Sequence, residues 1–295
     1  MQHAGVERCV FGADFVNYRH AFHAGNFADV VKHALLCNLL DYLKRKEKPF
    51  RVYDTHAGRG LYDLGADEAS RTGEPIDGIT KLVASPVWND PLFASYRFAV
   101  EDVRADFGAA AYPGSPLIAR RLLRRQDRLS AYELHPDDAE ALAETFAGDP
   151  HVKTIELDGW LALGAHVPPK EKRGLVLIDP PFELTDEIER IVEALRRAHD
   201  RWPGGVYAVW YPIKRESQYR RFHELLRESG IPDIVAADFT REPFSPEERL
   251  IGSGLVVVNP PFTFRSDAAA IMRALVPVLG RGSRGDCGII ALAAE

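Results

Sequence analysis

Short apolar runs recur along this chain with helical patterns between them, and that rhythm restricts the fold more than any other feature. Phe50 to Tyr53, Leu129 to Glu133, Val152 to Glu156, Gly174 to Ile178 and Val206 to Trp210 are the runs. They are nearly continuous in apolar or β-branched residues, the mark of strands buried on both faces, so they predict a parallel sheet covered by helices. The helical patterns are Pro116 to Arg125, Asp137 to Phe146, Asp186 to Ala198 and Ser217 to Ser229. Ser115 reads as the cap of the first of these, with Pro116 at its first helical position. Another helix is expected from Phe27 to Lys46, capped by Asn26, with Val30, Val31, Ala34, Leu35, Leu39 and Leu43 as its apolar stripe. Late strands at Ile234 to Phe239 and Leu255 to Val258 are joined by a charged loop suited to an antiparallel connection. A helix near Asp267 to Leu279 and a strand at Gly288 to Leu292 complete the α/β pattern.

One interval is far too long for an ordinary strand-to-helix loop, which usually takes about 2 to 6 residues. Residues 62–112, with a helical pattern from Pro91 to Phe107, are therefore expected to be an inserted helical subdomain. The main domain would be 18–61 with 113–295, residues 18–33 would form an N-terminal lid, and 1–17 would be a leader. A length of 295 residues fits one domain carrying such an insertion. With 46% hydrophobic and 27% charged residues the chain is neither disordered nor fibrous. Cys9, Cys37 and Cys287 are scattered and odd in number, which argues against a disulfide framework and for a reducing, cytoplasmic setting. No apolar stretch is long enough to span a membrane. The net charge of −6 means that a nucleic-acid partner would need a local basic patch. The runs Arg120-Arg121, Arg124-Arg125, Arg196-Arg197 and Arg220-Arg221 are candidates for it, or else solvated helix faces.

Chemistry is expected at the carboxyl ends of the strands, where open parallel sheets bind ligands. Asp54-Thr55-His56-Ala57-Gly58-Arg59-Gly60 follows the first strand. It lacks the dinucleotide-binding glycine spacing, and an acidic residue before a small, glycine-bearing loop is an arrangement that suits S-adenosylmethionine. Glu133 closes the next strand, where a carboxylate can accept from ribose hydroxyls, and Asp158-Gly159 follows the third, suited to an adenine edge. The sharpest signal is Asp179-Pro180-Pro181-Phe182 after the strand Gly174 to Ile178. Two prolines stiffen the turn and remove two N–H donors, leaving acceptors: the Asp179 carboxylate and the Pro180 carbonyl. Such a pair can hold an exocyclic amino group and aim its lone pair at an electrophilic methyl, while Phe182 stacks on a flipped base. A similar motif, Asn259-Pro260-Pro261-Phe262, ends a late strand expected nearer the sheet edge and reads as structural. His20, His23 and His33 match no standard metal-site spacing, so no metal is expected. A lid carrying Tyr18, His20 and Lys32 into the pocket fits them better.

Read together, the run Tyr18 to His33, the loop from Asp54 to Gly60, the segments Tyr112 to Arg120 and Glu133 to Pro136, Leu177 to Phe182 and Tyr207 to Ile213 resemble the bacterial ribosomal RNA large subunit methyltransferase J family. The resemblance spans Tyr18 to the C-terminus. It implies a Rossmann-like class I S-adenosylmethionine-dependent methyltransferase fold with an inserted helical subdomain, acting as a monomer on an adenine amino group of 23S rRNA before ribosome assembly. It assigns cofactor contacts to Lys32, His33, His56, Ser115, Glu133, Asp158 and Asp179, the catalytic acceptor role to Asp179, and places Tyr18 and His20 in a tail folding over the cofactor. Phe182 stands where the family usually has tyrosine. Two other readings remain on the sequence: a DNA adenine or cytosine amino-methyltransferase, and a non-catalytic RNA-binding module.

Overall fold

A computed structural model describes residues 23–66, 74–182 and 186–294. The first helix, α1 (Phe27–Lys44), starts where expected: the Asn26 side chain accepts from the amides of Ala28 and Asp29. It ends two residues before the expected Lys46. Its buried face is wider than the apolar stripe, since Asp29, Lys32 and His33 are buried as well. Residues 27–33, expected as part of a lid, are thus the first turns of a core helix. The earlier part of that expected lid lies outside the described residues.

The runs read from the sequence become β1 (Arg51–Asp54), β4 (Arg128–Glu133), β5 (Val152–Glu156), β6 (Gly174–Ile178) and β7 (Val206–Ile213). A short pair, β2 (Leu61–Asp63) and β3 (Ala111–Pro113), lies between the first two in the chain. The late strands are β8 (Ile234–Thr240), β9 (Gly252–Val258) and β10 (Asp286–Ala293). The main sheet has eight strands in the order β10-β8-β9-β7-β6-β1-β4-β5. From β7 to β5 all neighbours are parallel, whereas β9 runs antiparallel to both β7 and β8, and β10 antiparallel to β8. This is the Rossmann-like α/β arrangement, and strand order reverses between β1 and β6.

Because β9 is antiparallel, its C-terminal end faces the opposite end of the sheet from Asp179. Asn259 there takes a left-handed φ of 52° and donates to the carbonyls of Pro203 and Gly205. The motif is structural as expected, but β9 is flanked on both sides and is not an edge strand. Orientation, rather than edge position, separates the two Pro-Pro-Phe turns.

The inserted segment leaves and re-enters through β2 and β3, which pair antiparallel. Between them lie short helical turns from Ile76 to Phe93 and α2 (Ala94–Phe107). Ile79, Leu82, Phe93, Tyr96 and Val100 join the same apolar cluster as Leu35, Leu39 and Val52, so the described part of the insertion shares the core of the main domain. Gly78 makes that seat possible: a Cβ there would stand 2.0 Å from the Gly25 carbonyl oxygen. The remaining helices are α3 (Ser115–Leu122), α4 (Pro136–Thr145), α5 (Gly159–Ala165), α6 (Glu187–Arg201), α7 (Glu216–Glu228) and α8 (Phe264–Leu279). α3 stops at Leu122, short of Arg125, because Leu123 is extended. None of the described helices is long and apolar enough to cross a membrane.

Candidate active site

The loops after β1 and β6 meet where the strand order reverses, and α1 supplies the side chain that ties the second of them to the core. Lys32 projects its ammonium between two carboxylates, 2.6 Å from Asp179 Oδ2 and 2.8 Å from Asp29 Oδ1. All three side chains are nearly out of water, 4%, 11% and 3% exposed for Lys32, Asp179 and Asp29. Burial alone would lower the lysine pKa, but the two carboxylates outweigh it and hold the ammonium above its ordinary range. Asp29 is itself oriented by the Gly25 amide at 2.9 Å. The Lys32 ammonium also lies 5.7 Å from the Trp210 ring centre.

Phe182 stands edge-on to Trp210, with ring centres 5.6 Å apart and planes at 77°. Its φ is +54°, an uncommon backbone conformation for a bulky residue and one associated with functional turns. The turn therefore combines a charge-clamped carboxylate, a proline-stiffened carbonyl and an aromatic corner.

The expected nucleoside side of the pocket is assembled from the loops of β1, β4 and β5. Asp54 is 1% exposed. Its Oδ2 accepts from Ser115 Oγ at 2.6 Å, while Oδ1 is buried without a hydrogen-bond partner. Burial pushes its carboxyl up to about 7, against the lowering effect of the Ser115 hydroxyl. Ser115 is the first residue of α3 rather than its cap; Gly114 occupies the cap position. Glu133 accepts from the amides of Gly58, Leu134 and His135, each at 2.8 Å. Three of about four lone-pair positions on a carboxylate are thereby filled, leaving room for one further donor. Burial raises its pKa despite those amides.

Asp158 caps α5 by accepting from the Trp160 amide at 2.8 Å, and its other oxygen lies 3.4 Å from Arg190. Gly159 brings this turn against the first loop, since a Cβ would meet the Thr55 carbonyl oxygen at 2.1 Å. His56 bonds Thr55 Oγ1 at 2.8 Å and meets Trp160 edge-on at 5.2 Å. Burial, helped by Arg190, lowers its pKa to about 3, so the ring is neutral at physiological pH.

Lys32 and Asp179 are thus in direct contact, Pro180 and Phe182 share the Asp179 turn, and the first-loop, Ser115, Glu133 and Asp158-Gly159 positions converge on the neighbouring strand ends. His33 goes elsewhere: it is fully buried, bonds the Tyr112 hydroxyl at 2.8 Å and packs against Tyr96 and Tyr112. Tyr18 and His20 lie outside the described residues. Sequence reasoning missed Asp29, Trp160, Arg190 and Trp210. Asp29 had a usable signal, an acid three positions before Lys32 on one helix face; the two tryptophans acquire meaning only when the strand ends are brought together.

The arginine runs expected as a phosphate patch are mostly neutralised by carboxylates. Arg120 pairs with Asp149, Arg121 with Asp102 and Asp106, Arg196 and Arg197 with Glu193, and Arg220 with Glu216.

A family model described as Ribosomal RNA large subunit methyltransferase D, RlmJ, matches residues 47–288. A protein of Escherichia coli (strain K12) named Ribosomal RNA large subunit methyltransferase J is 39% identical over 251 residues, covering 84% of this chain and 88% of its own. A Haemophilus influenzae protein of the same name is 40% identical over 277 residues, covering 91% and 96%. A crystal structure of a Legionella pneumophila protein superposes with a TM-score of 0.83 at 34% identity, covering 91% of this chain and 98% of that one.

Proposed function

Since the chain belongs to the RlmJ family of ribosomal RNA large subunit methyltransferases, we propose that it methylates the exocyclic amino group of an adenine in 23S rRNA, with S-adenosylmethionine as donor. The observation that carries this reading is the Lys32 clamp on Asp179, at the head of a Pro-Pro-Phe turn located where the strand order reverses.

The residues present fit the cofactor. The partnerless Asp54 oxygen calls for a donor such as an ammonium, Glu133 has capacity for a hydroxyl, and Asp158, His56 and Trp160 flank the third strand end. When bound, S-adenosylmethionine supplies an electrophilic methyl on a sulfonium. The chain's own task is positioning. The Asp179 carboxylate and the Pro180 carbonyl accept the two amine hydrogens, which directs the nitrogen lone pair out of conjugation with the ring. Lys32 fixes the Asp179 oxygen it grips, and Phe182 with Trp210 provides aromatic surface for the base. With the cofactor bound, forming the C–N bond would break the methyl–sulfur bond and leave a neutral thioether, and the nitrogen would give up one proton, for which the Asp179 oxygen already holding it is the nearest acceptor. Tyr18 and His20 belong in this reading to the tail that folds over the cofactor. The enzyme works as a cytoplasmic monomer on rRNA that is protein-free or at an early stage of assembly.

The test is incubation with methyl-labelled S-adenosylmethionine and protein-free 23S rRNA, followed by nucleoside analysis. Label on the N6 position of one adenine is expected. Label on ring carbons, no label, or preferential labelling of duplex DNA would refute the reading.

A further inference from the structure

One basic feature is only partly neutralised, since Lys44 pairs with Asp41 and Arg124 with Asp127. Residues 44–48, 124–128 and 170–173 carry ten Lys and Arg against three carboxylates, in a chain whose net charge is −6. These segments directly precede β4, β6 and, through Pro49 and Phe50, β1, which are neighbours in the sheet order β6-β1-β4. They therefore gather at the N-terminal ends of the three strands whose C-terminal ends carry Asp54, Glu133 and Asp179.

Their packing confirms the gathering. Arg124 donates to the carbonyls of Lys44, Lys46 and Lys48 at 3.1, 2.9 and 3.3 Å. Arg173 donates to those of Lys48 and Leu43 at 2.6 and 2.9 Å. Two of the three carboxylates are drawn inward: Asp127 is wholly buried beneath Arg124, and Glu171 pairs with Arg51. Lys46, Lys48, Arg125 and Lys172 are exposed. Burial, and next the Arg124 charge, holds the Arg173 pKa below its usual value. Favourable interaction with the C-terminus of α1 accounts for Lys44 and Arg45, but not for cations on the other two segments. Lys44 and Arg124 have a carboxylate three residues away, as Arg196 and Arg220 elsewhere have one three and four residues away, whereas the exposed Lys46, Lys48, Arg125 and Lys172 have no carboxylate partner among the described residues.

We propose that this cationic pole binds the phosphate backbone of the RNA substrate, at least a strand length (~15 Å) from the methylated base. The proposal rests on the methyltransferase reading and adds to it a second, sequence-independent anchor on the far side of the sheet.

The test uses the full chain with Lys46, Lys48 and Arg125 all changed to Glu. All three side chains are exposed, so the fold should be kept. Binding to full-length 23S rRNA is measured by filter retention over a salt series, alongside methylation of that RNA and of a short stem-loop bearing the target adenine. With three phosphate contacts removed, the log-log salt slope should fall by about 2 to 3. KM for the full-length RNA should rise at least tenfold, with kcat, KM for S-adenosylmethionine and activity on the stem-loop unchanged. Glu47→Lys should steepen the slope and tighten binding. Unchanged slope and KM on full-length RNA, or an equal loss on both RNAs, would overturn the proposal. Because retention is read without turnover, a wild-type protein that binds RNA but transfers no methyl would sink the methylation reading alone.

Discussion

Replacing Lys32 with Met tests how the Asp179 turn is held. The methionine keeps much of the lysine stem but withdraws an ammonium lying 2.6 and 2.8 Å from two carboxylates that are 11% and 3% exposed. Two buried anions then face each other without a counter-charge. Breaking a buried pair by removing one partner costs about 3 to 5 kcal/mol. At roughly 2 to 4 °C per kcal/mol for a large domain, the melting temperature should drop by about 10 °C. The native lysine pKa is raised, so its contribution to stability is complete at neutral pH and is lost only as pH climbs past the ordinary lysine value. Differential scanning calorimetry at pH 7 measures the loss. The double variant Lys32→Met with Asp29→Asn removes one of the stranded charges and should recover a substantial part of it. Asp29→Asn alone should leave Lys32 paired with Asp179 and cost less than the lysine replacement. A melting temperature within about 2 °C of wild type for Lys32→Met would show that the triad is not the electrostatic unit described above.

Burial raises the Asp54 pKa to about 7, from the ordinary aspartate value near 4. The folded protein therefore holds a proton that the unfolded chain releases, and the ligand-free protein should lose stability as pH rises from about 4 to about 7. Asp54→Asn should flatten that interval in a series of urea titrations, and a persisting slope of the same size would contradict the assignment. Phe182→Ala should weaken catalysis by about 1 to 3 kcal/mol in kcat/KM through lost base stacking, whereas Phe182→Tyr should be nearly silent in the same steady-state assay. Gly159→Ala inserts a methyl 2.1 Å from a carbonyl oxygen and should cost about 1 to 3 kcal/mol of stability while weakening S-adenosylmethionine binding, both readable by calorimetry.

The parallel strands were legible because each is a compact apolar run with a helical pattern behind it, and Asp179 was legible because two prolines after such a run leave few roles other than presenting acceptors. The antiparallel direction of β9 was less accessible: its apolar run looks the same either way, and only pairing reveals which end of the sheet Asn259 reaches. The insertion was visible as excess length, yet its merger with the core depends on contacts such as Tyr96 against His33, far apart in the chain. His33 illustrates the same limit. Its neighbour Lys32 turns to the site while the next ring enters the core, because consecutive helical side chains diverge by about 100°. Ser115 looked like a cap from its place before Pro116, but one residue of register moved its hydroxyl to Asp54.

The clamp on Asp179 comes from α1, and α1 packs against α8, with Asn38 reaching Asp267 at 3.3 Å. The first of the described helices is thus seated by one of the last. A nascent chain lacking residues beyond about 260 would possess every candidate site side chain described here and still lack a helix that α1 packs against. Methylating ability should consequently appear late and abruptly during synthesis.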